Sequence, residues 1–167
     1  MTKKSLYILF LSSALSSTTL AGGYQLQEYS AVNLGRAFGG AGIVGDDYSA
    51  IAFNPAGMIL KGSGLQLGNS TIRIRSNATG KLSTGATGKG TIKTLANLPH
   101  FFAQKKVSDK LTLGTGLYIP FGLGTYYRKK DWFASNHAVN SEISAVDGAL
   151  AASYKFSDHW SVGASFI

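Results

Sequence analysis

Apolar residues that recur at every second position confine most of this chain to β-structure. Between Lys110 and Phe121, Leu111, Leu113, Leu117, Ile119 and Phe121 point one way, and Thr112, Gly114, Gly116 and Tyr118 the other. Between Ala145 and Phe156, Val146, Leu150, Tyr154 and Phe156 oppose Asp147, Ala149, Ala151, Ser153 and Lys155. From His159 to Ile167, Trp160, Val162, Ala164 and Phe166 oppose His159, Ser161, Gly163 and Ser165. A soluble sheet with one buried face gives the same alternation, so three further features decide the reading. The runs are about 9–12 residues long, as tilted membrane-crossing strands are. Their less apolar faces hold Gly, Ser, Thr and Ala rather than Lys and Glu, which suits a packed lumen. Aromatics collect at strand ends, with Tyr118, Phe121, Tyr126, Tyr127 and Trp132 on one side and Tyr154, Phe156 and Trp160 on the other, like two interfacial girdles.

The earlier part of the strand region is less regular. Leu65 and Leu67 fall out of phase with Ile72 and Ile74, and a bulge near Gly68-Asn69 would restore the phase. Ser76 to Lys93 is polar and rich in Gly, Ser and Thr, and reads as a long loop. Pro99 to Gln104 reads as a short strand. Val107-Ser108-Asp109 and Phe156-Ser157-Asp158 repeat one turn signal forty-nine residues apart. That places two short turns on one rim and the long segments, Ser76 to Lys93 and Gly122 to Asn140, on the other. Short turns opposite long loops is the outer-membrane barrel pattern, with the long loops outside.

The start of the chain fits export. Lys3 and Lys4 precede the apolar run Leu6 to Leu15, and Thr19-Leu20-Ala21 offers small residues for cleavage after Ala21. The run is well short of the roughly 20 residues of a membrane helix. A membrane form of the remainder must then be a barrel, since only helices and closed barrels satisfy their backbone groups in lipid. The 167 residues carry a net charge of +8, scattered or in short clusters such as Lys105-Lys106, which is no nucleic-acid footprint. The absence of Cys excludes thiol chemistry and disulfides.

Residues 22–58 have neither period. They carry Tyr24, Leu26, Tyr29, Phe38, Ile51 and Phe53, too much apolar surface for a solvated tail, and read as a plug. Gly40, Gly42 and Gly45 match G-x-G-x-x-G, but no strand precedes and no helix follows as a dinucleotide site needs. The spacing instead gives backbone freedom within a packed plug. Asp46 and Asp47 lack further carboxylates at metal-loop spacing, and read as turn hydrogen-bonders or partners of Arg36. His100, His137 and His159 lack ligand spacing, so neither a metal nor a cofactor is expected. Without a G-x-S-x-G motif, no hydrolase is expected either. Asn54-Pro55-Ala56 ends the segment; Pro55 biases Asn54 away from helix, so the motif is either a turn into the first strand or a functional element.

At Gln25-Leu26, Glu28-Tyr29-Ser30, Leu34-Gly35-Arg36-Ala37, Gly40, Asp46-Asp47 and Asn54-Pro55-Ala56, the chain resembles the outer-membrane long-chain fatty acid transporters, the FadL family with its OmpP1 and TodX relatives. The resemblance implies an all-β fold, a transmembrane antiparallel barrel of fourteen strands closed by an N-terminal hatch, in the outer membrane of a Gram-negative cell. It implies ligand-gated passive uptake of fatty acids or similar hydrophobic compounds, with gating at Asn54, Pro55 and Ala56. Ligand would be captured at the outer loops and leave sideways once the hatch rearranges. The capture surface would lie within 122–139, where Leu123, Tyr126, Tyr127, Trp132 and Phe133 can hold an acyl chain and Arg128, Lys129 and Lys130 a carboxylate. An interfacial aromatic and basic belt accounts for the same residues. Expected partners are the hydrophobic ligand, membrane lipid, periplasmic chaperones and the barrel-assembly machinery. The expected division is signal 1–21, hatch 22–58 and partial barrel 59–167. About five strands are visible against the family's fourteen, so the chain is expected to be a fragment that forms no barrel and takes up no ligand alone. The competing reading is a non-transporting structural or adhesin-like barrel.

Overall fold

The structure, a computed structural model, describes residues 25–81, 85, 87–127 and 140–167. The signal and its cleavage site lie outside the described residues. One antiparallel sheet dominates, with strands β1 (Gly64–Lys81), β2 (Thr87–Lys106), β3 (Leu111–Tyr126), β4 (Asn140–Ser157) and β5 (Trp160–Phe166) side by side in chain order. This is the wall of a partial β-barrel. No helix among the described residues is long and apolar enough to cross a membrane.

The two faces of the wall follow the alternation in the sequence. Thr112, Tyr118, Ala149, Ala151 and Ser153 are buried, whereas Leu117, Leu150, Val162 and Phe166 between them are exposed. Leu67, Trp160 and Phe166 keep 74%, 73% and 78% of their surface bare. A water-soluble sheet would bury these residues; on a barrel wall they meet lipid. The buried face is covered by residues 25–63, which contain α1 (Ala31–Gly35), α2 (Ala50–Phe53) and a 3-10 turn (Pro55–Leu60).

Local chemistry shapes the covering segment. The Ser30 side chain caps α1 by accepting from Asn33 N at 3.2 Å. Asn54 is extended (φ −157°) ahead of Pro55, so α2 stops there and the 3-10 turn begins with Pro. Gly42 (φ +73°) lies against Asn54 and Gly57, and a Cβ on Gly57 would run into the Gly42 carbonyl. These glycines let two backbone stretches touch, the role expected for this Gly-rich run. Asp46 and Asp47 also behave as expected. Arg36 clasps Asp46 at 2.6 and 3.1 Å, while Asp47 is buried and accepts from Ser30 Oγ, Asn33 Nδ2, Ser49 N and Ser49 Oγ.

Four strand expectations need correction. Most of the stretch read as a loop, Ser76 to Lys93, is strand, in register from Ser76↔Ile92 to Lys81↔Thr87. Its residues are polar on both faces because the hairpin continues beyond the apolar band, and Thr91 bonds Asn77 across it at 3.0 Å. Likewise Pro99 to Gln104 is part of a strand of 20 residues, and residues 122–126 extend β3 rather than begin a loop. No bulge occurs near Gly68-Asn69, since the β1–β2 register is unbroken. The phase change is real instead: Leu65 and Leu67 lie on the exposed face and Ile72 and Ile74 on the covered one. Register shifts occur at Tyr118/Phe121 and Lys155/Ser157.

The repeated turn signal does form two turns on one rim. Ser108 Oγ accepts from Lys110 N and Leu111 N, and Ser157 Oγ from His159 N. In each turn a lysine three residues earlier, Lys106 or Lys155, hydrogen-bonds Asp109 or Asp158 and holds that carboxyl below its usual range.

Candidate functional site

The segment 25–63 is fastened to the wall at several places. The first is Asn54-Pro55-Ala56. The Ala56 carbonyl accepts from Ser153 Oγ of β4 at 3.0 Å and Ser161 Oγ of β5 at 3.1 Å. Gly163 lies directly beneath: a Cβ there would stand 2.8 Å from Ala56 Cα and closer still to Ala56 N and the Pro55 carbonyl carbon. The motif turns the chain from α2 into the 3-10 turn, and its backbone also rests on the strands themselves. The second place is Gln104, whose Nε2 lies within hydrogen-bond distance of the carbonyls of Met58, Lys61 and Gly62 at 2.9, 2.7 and 3.1 Å. It holds the exit of the segment at the rim where β1 begins.

The third place is apolar and aromatic. Ile51 and Met58 pack onto Gly114, where a Cβ would stand 2.9 and 2.6 Å from them, and at Gly116 a Cβ would meet Phe102 at 2.8 Å and Ile51 at 3.3 Å. Tyr29 stacks between Phe53 and Tyr118 with ring centroids 5.4 and 4.8 Å away, and Phe102 continues the row 5.9 Å beyond Tyr118. Burial pushes the Tyr29 phenol up to about 12.

The wall itself divides. The β2–β3 ladder runs only from Lys106↔Thr112 to Phe101↔Leu117, although both strands continue. Farther along, β3 loses register with β4 at Ile119-Pro120, where Pro120 has no N–H to offer a ladder. Leu26 closes this divide from the covered side. Its N–H donates to the Pro120 carbonyl at 2.7 Å, and Leu26 and Leu98 approach Gly122. Leu26 and Leu98 are buried, with 7% and 1% exposure.

Of the residues assigned to ligand capture, Leu123, Tyr126 and Tyr127 lie at the end of β3 nearest the divide, with Tyr126 63% exposed. Arg128, Lys129, Lys130, Trp132 and Phe133 lie outside the described residues. The structure adds two cations unmarked by motif, Arg75 and Lys93, which line one hollow with Thr91 and Tyr126. Gln104, Gly163 and Pro120 were also unmarked, since each acts through a contact distant in sequence.

Comparison with known proteins leads to the outer membrane as well. Residues 12–167 match the family described as outer membrane protein transport protein (OMPP1/FadL/TodX). The chain belongs to this family. Outer membrane protein P1 of Haemophilus influenzae is 28% identical over 160 residues, covering 86% of this chain and 35% of that protein. A putative outer membrane protein of Neisseria meningitidis serogroup B is 34% identical over 133 residues, covering 73% of this chain and 28% of its own length. The long-chain fatty acid transport protein of Escherichia coli K12 is 27% identical over 168 residues, covering 95% and 37%. The crystal structure of a Pseudomonas aeruginosa FadL homologue superposes with a TM-score of 0.75 at 22% identity, over 87% of this chain and 37% of that one. The chain thus spans about a third of the length of these relatives, and like the family it is an outer-membrane protein.

Proposed function

We propose that the protein takes part in passive, ligand-gated passage of long-chain fatty acids or similar hydrophobic compounds across the outer membrane. Residues 22–58 act as the hatch, Asn54-Pro55-Ala56 anchors it to the wall, and the β2–β3 divide is the sideways exit. Ligand is gathered at the outer end, around Leu123, Tyr126 and Tyr127. The observation that carries this reading is the stopper at the divide, where Leu26 fills a gap bounded by Leu98, Pro120 and Gly122. An apolar ligand that displaces Leu26 replaces one apolar contact by another, so opening costs little beyond the single hydrogen bond to Pro120, about 0.5–1.5 kcal/mol.

The absence of native Cys allows a direct test. Leu26→Cys with Gly122→Cys, joined by a short bis-methanethiosulfonate reagent that forms a disulfide with each thiol and releases methanesulfinate, fixes the stopper in place. Oleate uptake by cells or proteoliposomes carrying the protein within a complete barrel should fall to background on bridging and return on reduction. Uptake unaffected by a completed bridge would reject the exit. An absence of uptake before bridging would favour the non-transporting, structural or adhesin-like alternative.

A further inference from the structure

Arg73, Arg75 and Lys93 form a cationic cluster on the outer, lipid-side face of the β1–β2 hairpin. We propose that it binds phosphate groups of the outer-leaflet lipid, fixing the height of the protein in the membrane. The side assignment comes from register. The β1–β2 pairing is unbroken, so Arg73 and Arg75 share a face with Leu65 and Leu67, and Lys93, directly opposite Arg75, shares it with Phe101. All three cations are exposed.

Their height follows from β2. On its outer face Lys105 and Lys93 are twelve residues apart, and the outward positions between them are Ala103, Phe101, Pro99, Asn97 and Leu95, all uncharged. Twelve residues at about 3.3 Å each span about 40 Å along the strand, or about 28 Å of height at a tilt of about 45°. That is close to the apolar band of about 25 Å on such barrels. Lys105 lies by the short-turn rim, so Lys93 falls at the opposite, outer headgroup level. Below the cations, Thr71 Oγ1 donates to Asn97 Oδ1 at 2.9 Å and accepts from Asn69 Nδ2 at 3.3 Å. These polar groups satisfy one another where the band gives way.

The cluster lacks an internal counter-charge. Among the described residues the ion pairs are Arg36–Asp46, Lys106–Asp109 and Lys155–Asp158, and none involves these three cations. Arg75 and Lys93 sit directly across the ladder, where like charges repel. A phosphate between them turns the repulsion into two charge-assisted contacts. Tyr126 and Thr91, in the same hollow, supply further hydroxyls.

The test uses the protein within a complete barrel in phosphatidylcholine nanodiscs, offered bis-phosphorylated lipid A, dephosphorylated lipid A, inorganic phosphate or oleate, with bound ligand counted by native mass spectrometry. The wild type should retain bis-phosphorylated lipid A at least about tenfold better than Arg75→Gln/Lys93→Gln, since each cation near an anionic surface contributes about fivefold. Dephosphorylated lipid should bind both proteins equally and weakly. Both substitutions are exposed and leave the covered face untouched, and an unchanged unfolding temperature in pure phosphatidylcholine verifies this. Equal retention by wild type and variant overturns the proposal. So does retention of inorganic phosphate without preference for the lipid. If oleate competes and its binding depends on the same two cations, the cluster belongs to the uptake path and the proposal is again overturned. Bridging Leu26 and Gly122 should leave lipid retention unchanged, which separates this test from that of the exit.

Discussion

Gly163→Ala isolates the docking of Asn54-Pro55-Ala56 with a single methyl group. The added Cβ would stand 2.8 Å from Ala56 Cα and nearer to two other backbone atoms. Backbone cannot rotate aside as a long side chain can, so the motif must retreat by about 1 Å to restore normal contact. The hydrogen bonds from Ser153 and Ser161 to the Ala56 carbonyl, now 3.0 and 3.1 Å, would then both be broken. Two such bonds are worth about 1–3 kcal/mol together. Residual overpacking adds about 1–3 kcal/mol. Against this, Ala suits a strand better than Gly by about 0.5–1 kcal/mol. The net loosening is about 1–5 kcal/mol, at least a several-fold rise in the population of undocked segment. Proteolysis of residues 25–63 in outer-membrane vesicles reads that population when opening is fast relative to cleavage. Gly148→Ala on neighbouring β4 is the control, because its Cβ would meet nothing within 4 Å. Cleavage should accelerate for Gly163→Ala and not for Gly148→Ala. Equal cleavage of the two variants would refute the docking argument.

Further outcomes follow from the same contacts. Asp47→Ala strips the acceptor from Ser30, Asn33 and Ser49 inside the segment and should destabilise it by about 2–4 kcal/mol, seen as faster hydrogen exchange over 30–53. Gln104→Leu leaves the Met58, Lys61 and Gly62 carbonyls without their shared donor, and should speed exchange about tenfold at residues 58–64 while sparing β4 and β5. Leu150→Arg, on the exposed face, should lower barrel stability by about 2–4 kcal/mol in bilayers if the residue is near mid-membrane, measured by urea unfolding. The raised Tyr29 pKa of about 12 means the folded form keeps its proton where the unfolded chain, near 10, loses it. Stability from this group is whole below pH 10 and falls as pH rises toward 12, and Tyr29→Phe should remove that part of the alkaline loss in a pH-dependent melting series.

Much of this arrangement was legible where one element decides it. Alternation fixed the faces of β3, β4 and β5, because neighbouring side chains on a strand must diverge. Arg36–Asp46 was legible because ten residues and a glycine run bring the pair together locally. The hairpin from Ser76 to Lys93 was not, because its polarity on both faces erases the period. The contact of Gly163 with Ala56 spans more than a hundred residues and leaves no local mark, since a glycine in a strand looks like a weak strand position until its neighbour is known. The divide between β2 and β3 was equally hidden.

That divide also bears on the surrounding bilayer. Ladder groups of β2 and β3 that face each other beyond Phe101 and Leu117 need partners, and Thr94 Oγ1 reaching the Gly124 carbonyl at 3.3 Å meets only a small part of the demand. Hydrocarbon supplies none, so water must enter from the outer side and follow the seam downward. Lipids beside the seam would shorten or tilt their chains to avoid that wet notch, leaving a local dimple in the leaflet. An apolar molecule emerging there would enter the membrane below the headgroups, where the barrier to joining the acyl chains is already lowest.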